Sequence, residues 1–132
     1  MSNQLRTPAA QVRGLGSAKS GTQHYIRQRV SAIALLFLVP WFVVTGLLAM
    51  KGGYDSAHAW VANPINAILI ILTLGAAIYH MRLGMQTVIE DYLAKTSTRQ
   101  GVLILSTFFC IALFAATALS VLKIWISAGL SS

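Results

Sequence analysis

Three long apolar segments dominate this chain, and none of them contains a lysine, arginine, aspartate or glutamate. They run from Val30 to Met50, from Pro64 to Met81 and from Val102 to Leu122. Each reaches the length of about 18 to 20 apolar residues that a helix needs to cross the hydrocarbon core of a bilayer. The pattern therefore predicts an all-α membrane protein with three transmembrane helices, which leave no room for a soluble catalytic domain.

Glycine, asparagine and proline set the expected bounds of these helices. Gly52 and Gly53 end the first segment, and Asn63 followed by Pro64 supplies an N-cap and a first-turn proline for the second. We expect helices over about residues 30–50, 64–93 and 102–126. The second helix is longer than the hydrocarbon core is thick, so its C-terminal end should protrude from the membrane.

The remaining segments are more polar than the expected helices. Residues 54–62 should form an interfacial loop and residues 95–101 a short polar turn. Residues 1–20 are rich in glycine and serine and predict a flexible N-terminal arm, while residues 21–132 form the expected three-helix transmembrane anchor. The arm has no cleavage site after a short apolar run, and its weak amphipathicity favours a bacterial inner-membrane protein over a mitochondrial one.

Positive charge is concentrated on one side of the expected membrane spans. Of the ten basic residues, only Lys51 and Lys123 lie at one end of the spans. The positive-inside rule then predicts a cytoplasmic N-terminus and a periplasmic C-terminus. We interpret the net charge of +7 as a topology signal and not as a nucleic-acid surface. The eight residues on the cytoplasmic side are Arg6, Arg13, Lys19, Arg27, Arg29, Arg82, Lys95 and Arg99.

One histidine, His80, lies late in the second apolar segment. An ionisable residue inside a membrane helix is energetically unfavourable and marks a candidate functional site. Imidazole can ligate haem iron, and Gly84 one turn later would let a flat macrocycle approach the backbone. The alternative is that His80 forms a hydrogen bond with a neighbouring helix and holds the helices together.

Asp91 and Tyr92 follow His80 by about three helical turns, which returns Asp91 to nearly the same helix face about 16 Å along the axis. The phenol can donate a hydrogen bond to a carbonyl oxygen of a lipophilic substrate, and the carboxylate can orient water or relay protons. The alternative is an interfacial tyrosine anchor beside a solvated acid. Arg29 enters the same leaflet as His80, either near a haem propionate or quinone or as a topology charge.

Other chemically active side chains have simpler interpretations. His24 and His58 are expected at opposite membrane interfaces, with His24 preceding the first helix. Cys110 is expected to be a small buried packing residue. Arg82 should extend toward the cytoplasmic interface.

The pattern His80-x3-Gly84-x6-Asp91-Tyr92, on the second of three helices, resembles the small membrane-anchor subunit of succinate dehydrogenase, or complex II. The stretch from His24 to Ala32 also resembles the region before the first helix of that subunit, with His24 one residue out of register. The resemblance extends from about Gly21 to the end of the third helix.

This resemblance implies three helices packed with a second, partner anchor subunit, with one b-type haem held between the two chains. His80 would be one axial ligand of the haem iron, and Arg29 would lie near the haem propionates or the quinone. Tyr92 would donate a hydrogen bond to ubiquinone, and Asp91 would support that site. A flavoprotein subunit and an iron–sulfur subunit would dock on the cytoplasmic side, so this chain would not oxidise succinate itself.

Three alternatives to this function stay open at the level of the sequence. A fumarate reductase anchor would have the same architecture and would differ in its native quinone. A structural anchor without haem would retain the helices and lack the iron. A small oligomeric transporter or pore would be expected to place several polar residues at the membrane midplane, whereas the first and third helices carry no charge through their spans.

Overall fold

The computed structural model describes residues 7–9 and 19–130, and over these residues the chain is helical with short connections. Four helices are present in the described part: α1 (Lys19–Lys51), α2 (Gly53–Ala62), α3 (Pro64–Tyr92) and α4 (Thr96–Leu130). Helices α1, α3 and α4 are long and apolar enough to cross a membrane. The predicted all-α membrane protein with three spanning helices is confirmed. Most of the predicted arm, residues 1–6 and 10–18, lies outside the described residues.

Two of the spanning helices extend well beyond their expected bounds. Helix α1 already includes residues 19–29, and α4 begins at Thr96 because the Arg99 amide donates a 3.0 Å hydrogen bond to the Lys95 carbonyl. The expected bounds followed the loss of apolar character. Arginine, lysine and glutamine are good helix formers, so a helix continues from the hydrocarbon into the polar interface without interruption. His24 therefore lies within α1 and not before it.

Helix α2 replaces the loop expected over residues 54–62. Gly53, with φ of +80°, separates it from α1 in a backbone conformation that favours glycine. Asn63 then begins α3 as its position before Pro64 predicts: its side-chain oxygen accepts hydrogen bonds from the Ile65 and Asn66 amides at 3.0 and 3.3 Å. The chain thus turns between α1 and α3 through a short helix and not through an irregular loop.

Helix α3 is the centre of the bundle. It packs against α1 on one side and α4 on the other, while the backbones of α1 and α4 do not approach one another in the described part of the chain. Large apolar side chains such as Phe37 and Leu105 are more than 70% exposed, as expected for surfaces that face lipid or a partner. A row of three helices leaves much of α3 uncovered by its own chain.

An aromatic cluster packs α2 against the long helices at the end of the bundle where α1 is followed by α2. The Trp60 ring lies 6.0 Å from Trp41 and 5.9 Å from Phe42, measured between ring centroids. It packs against a small buried core that contains Ile70 and Val121. Helix α2 is therefore anchored by Trp60 to the three long helices.

Gly75 allows α3 to lie close to α4. A Cβ atom at this position would be 3.1 Å from the Phe114 ring, closer than side chains normally pack. We predict that Gly75→Leu destabilises the packing of α3 on α4 by about 1–3 kcal/mol, the usual effect of overfilling a packed interface. Thermal unfolding in detergent micelles measures this effect.

Gly101→Leu provides the matched control for this substitution. Gly101 also lies within a spanning helix, but a Cβ atom there would meet no atom of the described residues within 4 Å. We expect the midpoint of unfolding to fall for Gly75→Leu and to remain near that of the native chain for Gly101→Leu. Equal midpoints for the two variants would contradict the close approach at Gly75.

Candidate functional site

His80 lies on α3 where that helix faces α1. Its Nδ1 atom is 2.9 Å from the hydroxyl oxygen of Ser31 on α1. The Ser31 hydroxyl also donates a 2.9 Å hydrogen bond to the Gln28 carbonyl, one turn earlier in the same helix. His80 is half-buried, whereas Ser31 is only 6% exposed. A polar contact between two helices therefore holds the imidazole at a defined position.

Arg29 and His80 line the same pocket, which has a volume of about 330 Å³. Tyr25, Gln28 and Ala32 complete its lining. The Arg29 guanidinium lies over the Tyr25 ring, 5.0 Å from the ring centroid, within the range of a cation–π interaction. The pocket thus combines a positive charge with a half-buried imidazole, a pair suited to an anionic group and a metal ion.

Gly84 leaves open space one turn beyond His80. The two residues share one face of α3, and a Cβ atom at Gly84 would meet nothing within 4 Å. Packing among the residues that the structure describes therefore does not require glycine at this position. A flat group or a partner helix can approach the α3 backbone here.

Asp91 and Tyr92 lie apart from this pocket, at the C-terminal end of α3. Both side chains are exposed, and Tyr92 is 84% exposed. The helical rise places Asp91 about 16 Å along the axis from His80. The structure therefore brings together Arg29 and His80 and leaves Asp91 and Tyr92 at the end of the bundle where α1 begins.

Arg82 contacts α4 instead of extending freely toward the interface. Its Nε atom donates a 3.2 Å hydrogen bond to the Thr107 hydroxyl, and Thr107 in turn donates to the Leu103 carbonyl at 2.8 Å. The prediction that Arg82 extends toward the cytoplasmic interface is based only on its position in α3 and takes no account of the neighbouring helix. Thr107 on the neighbouring helix supplies the polar partner of the Arg82 Nε atom.

The two other histidines and the cysteine do not line the His80 pocket. His24 is half-buried, and its Nε2 atom is buried with no hydrogen-bond partner among the described residues. His58 lies against the Tyr54 ring at the opposite end of the bundle, with centroids 5.9 Å apart. Cys110 is a free, buried cysteine in α4, as expected for a packing residue.

The contact of Ser31 with His80 is a feature that the sequence pattern did not predict. Ser31 lies at the start of the first charge-free run, and hydropathy assigns it no partner. Within a continuous helix, however, the stretch carries His24, Gln28 and Ser31 at positions i, i+4 and i+7, which share one face. This polar stripe is the signal that indicates a helix face turned toward a polar partner.

Comparison with known proteins identifies the family of this chain. The family model described as "Succinate dehydrogenase/Fumarate reductase transmembrane subunit" matches residues 3–121, nearly the whole sequence. The chain belongs to this family. Its three spanning helices agree with that membership, and the family resemblance drawn from His80, Gly84, Asp91 and Tyr92 is confirmed at this level.

Several curated relatives carry the name "Succinate dehydrogenase hydrophobic membrane anchor subunit". The protein of Rickettsia bellii is 34% identical over 112 residues, which is 84% of this chain and 89% of the relative. That of Paracoccus denitrificans is 31% identical over 122 residues, covering 92% and 94%. That of Rickettsia conorii is 34% identical over 97 residues, covering 73% and 77%. No solved structure matches this chain.

Membership of this family and three spanning helices identify a multi-pass membrane protein whose relatives are anchor subunits of an oxidoreductase complex. The membership also removes the reason to regard the chain as a small transporter or pore. The exposed apolar surface of α1, α3 and α4 is then the surface of a subunit of a membrane complex.

Proposed function

We propose that this chain is the hydrophobic anchor subunit of a succinate:ubiquinone oxidoreductase, in which it helps to bind a b-type haem and to form the ubiquinone-reduction site. The observation that carries the proposal is the pocket shared by His80 and Arg29 on a chain of this family. Two partners, an iron–sulfur subunit and a flavoprotein subunit, carry out succinate oxidation. A second anchor subunit completes the haem site.

The residues around His80 fit a haem group. Imidazole is a common axial ligand of haem iron, and Ser31 occupies Nδ1, which leaves Nε2 for the metal. Arg29 supplies a guanidinium that matches a propionate carboxylate. Gly84 and the uncovered faces of α3 would leave room for the macrocycle and for the helices of a partner subunit. Bound haem supplies a one-electron redox centre within the membrane.

Asp91 and Tyr92 fit the quinone site by their chemistry and their exposure. The Tyr92 hydroxyl donates a hydrogen bond to a ubiquinone carbonyl, which holds the ring at the membrane edge and favours negative charge on its oxygen during reduction. The Asp91 carboxylate orients this site and accepts hydrogen bonds from water, from which the reduced quinone takes up its protons. Their exposure in the isolated chain suits a site that the iron–sulfur subunit completes.

The positive-inside rule supports one orientation for this assembly. The end of the bundle that carries Asp91 and Tyr92 also carries Lys95 in the connection to α4 and Arg99 in α4, and α1 contributes Arg27 and Arg29 near the same end. We assign this end to the cytoplasmic face of the bacterial inner membrane. The electron-donating subunits then dock beside the quinone site.

A fumarate reductase anchor is the second candidate function, since the family description includes both enzymes. Its reaction runs the same chemistry in the opposite direction, from menaquinol to fumarate. The curated relatives named above are all succinate dehydrogenase subunits, which favours the first function. Extraction and identification of the quinone that copurifies with the complex distinguishes the two.

The haem-ligand role of His80 predicts the outcome of His80→Ala in the intact complex. The variant should lose its haem almost completely, because one axial bond disappears and a cavity takes the place of the ring. The ratio of haem to flavin, measured by the absorption spectrum, reports this loss. His58→Ala, which removes a histidine at the opposite end of the bundle, should retain the native ratio. A normal haem content and spectrum in His80→Ala would eliminate the ligand assignment.

The proposed hydrogen bond from Tyr92 predicts a selective defect in Tyr92→Phe. Ubiquinone reduction should slow about fivefold, the effect of losing a hydrogen bond that contributes about 1 kcal/mol. Succinate oxidation with an artificial dye should be unchanged, because the flavin site is intact. Tyr54→Phe removes the hydroxyl of a comparably exposed tyrosine at the other end of the bundle and is the matched control. Native ubiquinone kinetics in Tyr92→Phe would indicate that Tyr92 is only an interfacial anchor.

A further inference from the structure

The two hydrogen-bond contacts of Ser31 favour one tautomer of His80. The Gln28 carbonyl can only accept, so the Ser31 hydroxyl donates its proton to that oxygen at 2.9 Å. The Ser31 oxygen then has only lone pairs to offer to His80, whose Nδ1 lies 2.9 Å away. Both contacts are satisfied when Nδ1 carries the hydrogen and donates it to Ser31.

A neutral imidazole has one N–H group, so a hydrogen on Nδ1 leaves Nε2 with a free lone pair. Among the described residues Nε2 of His80 has no hydrogen-bond partner. This is the tautomer that ligates a metal through Nε2. Ser31 is only 6% exposed in α1, so solvent offers it little competition for this contact, which favours the tautomer with hydrogen on Nδ1.

We propose that Ser31 is a positioning residue for the axial ligand His80, and that it tunes the redox potential and retention of the haem from the neighbouring helix. The inference rests on the proposed function of His80 and goes beyond it. A hydrogen bond donated by the second ring nitrogen makes the imidazole a stronger base and fixes the orientation of its ring. A stronger donor stabilises the ferric more than the ferrous state, so Ser31 lowers the reduction potential of the haem.

A purely structural role for Ser31 predicts something different. If its hydrogen bond only held α1 to α3, Ser31 would contribute to the stability of the bundle. Its loss would then not change the electronic properties of the haem that the complex still binds. The reduction potential therefore separates the two roles, since it responds to the basicity of the ligand and not to the strength of helix packing.

Ser31→Ala tests the proposal in the complex purified through a tag on the flavoprotein subunit. We expect a more positive midpoint potential in a spectroscopic redox titration and a haem affinity about 10- to 100-fold lower, the usual effect of removing an outer-shell partner of a metal ligand. Ser31→Thr retains the hydroxyl and should restore both properties. Ser106→Ala, which removes another buried serine whose hydroxyl contacts Met85 on α3, should leave the potential native.

The outcomes distinguish this inference from the function on which it rests. A native potential and haem content in Ser31→Ala would overturn the role of Ser31, even if His80→Ala loses its haem as the proposed function requires. Normal haem in His80→Ala would overturn both. If Ser31→Ala does not assemble, Ser31→Cys retains the volume with a weaker acceptor and should also raise the potential. A native potential in that variant would equally contradict the proposal.

Discussion

A polar group in the hydrocarbon core of a bilayer has no water to bind, so it needs a hydrogen-bond partner within the protein. This constraint determines how the polar side chains of the spanning helices are arranged. Thr45, Thr73 and Thr117 satisfy it locally, since each hydroxyl donates to a backbone carbonyl of its own helix. Ser31 and Thr107 do the same and still have lone pairs to offer. Those lone pairs face His80 and Arg82, two of the ionisable side chains of α3.

These two contacts join α3 to both of its neighbours near the end of the bundle where α1 begins. Apolar packing performs this task at the opposite end, where Trp60 contacts Trp41 and Phe42. Because the backbones of α1 and α4 do not approach each other among the described residues, part of the α3 surface remains uncovered. A central helix that is held by its neighbours and still has uncovered faces is suited to share a cofactor with another subunit.

The sequence was sufficient for the features that depend on one segment at a time. The three charge-free runs predicted the spanning helices, and Asn63 with Pro64 predicted the start of α3. The bounds of α1 and α4 could not be read from hydropathy, because Arg27 and Gln28 continue a helix as readily as the leucines that follow. Helix α2 depends on Trp60 packing against three other helices, which no local pattern reveals.

The candidate site also has features that one segment predicts and features that depend on the packing of two helices. The position of His80 in an apolar run and its spacing to Asp91 were enough to single out these residues and to suggest their family. The contact between Ser31 and His80 spans 49 residues of sequence. It depends on the rotation of α1 relative to α3, and a single sequence carries little information on that rotation. The same holds for Arg82, whose partner Thr107 lies on the next helix.

The most direct measurement is the reduced-minus-oxidised absorption spectrum of the native complex, purified in mild detergent through a tag on this chain. A b-type haem spectrum, with bound flavin and at least partial reduction by succinate, is the result that an anchor with His80 as an axial ligand requires. A preparation that contains flavin but no haem would contradict the role of His80. A preparation that contains neither would contradict the assembly with the succinate-oxidising subunits.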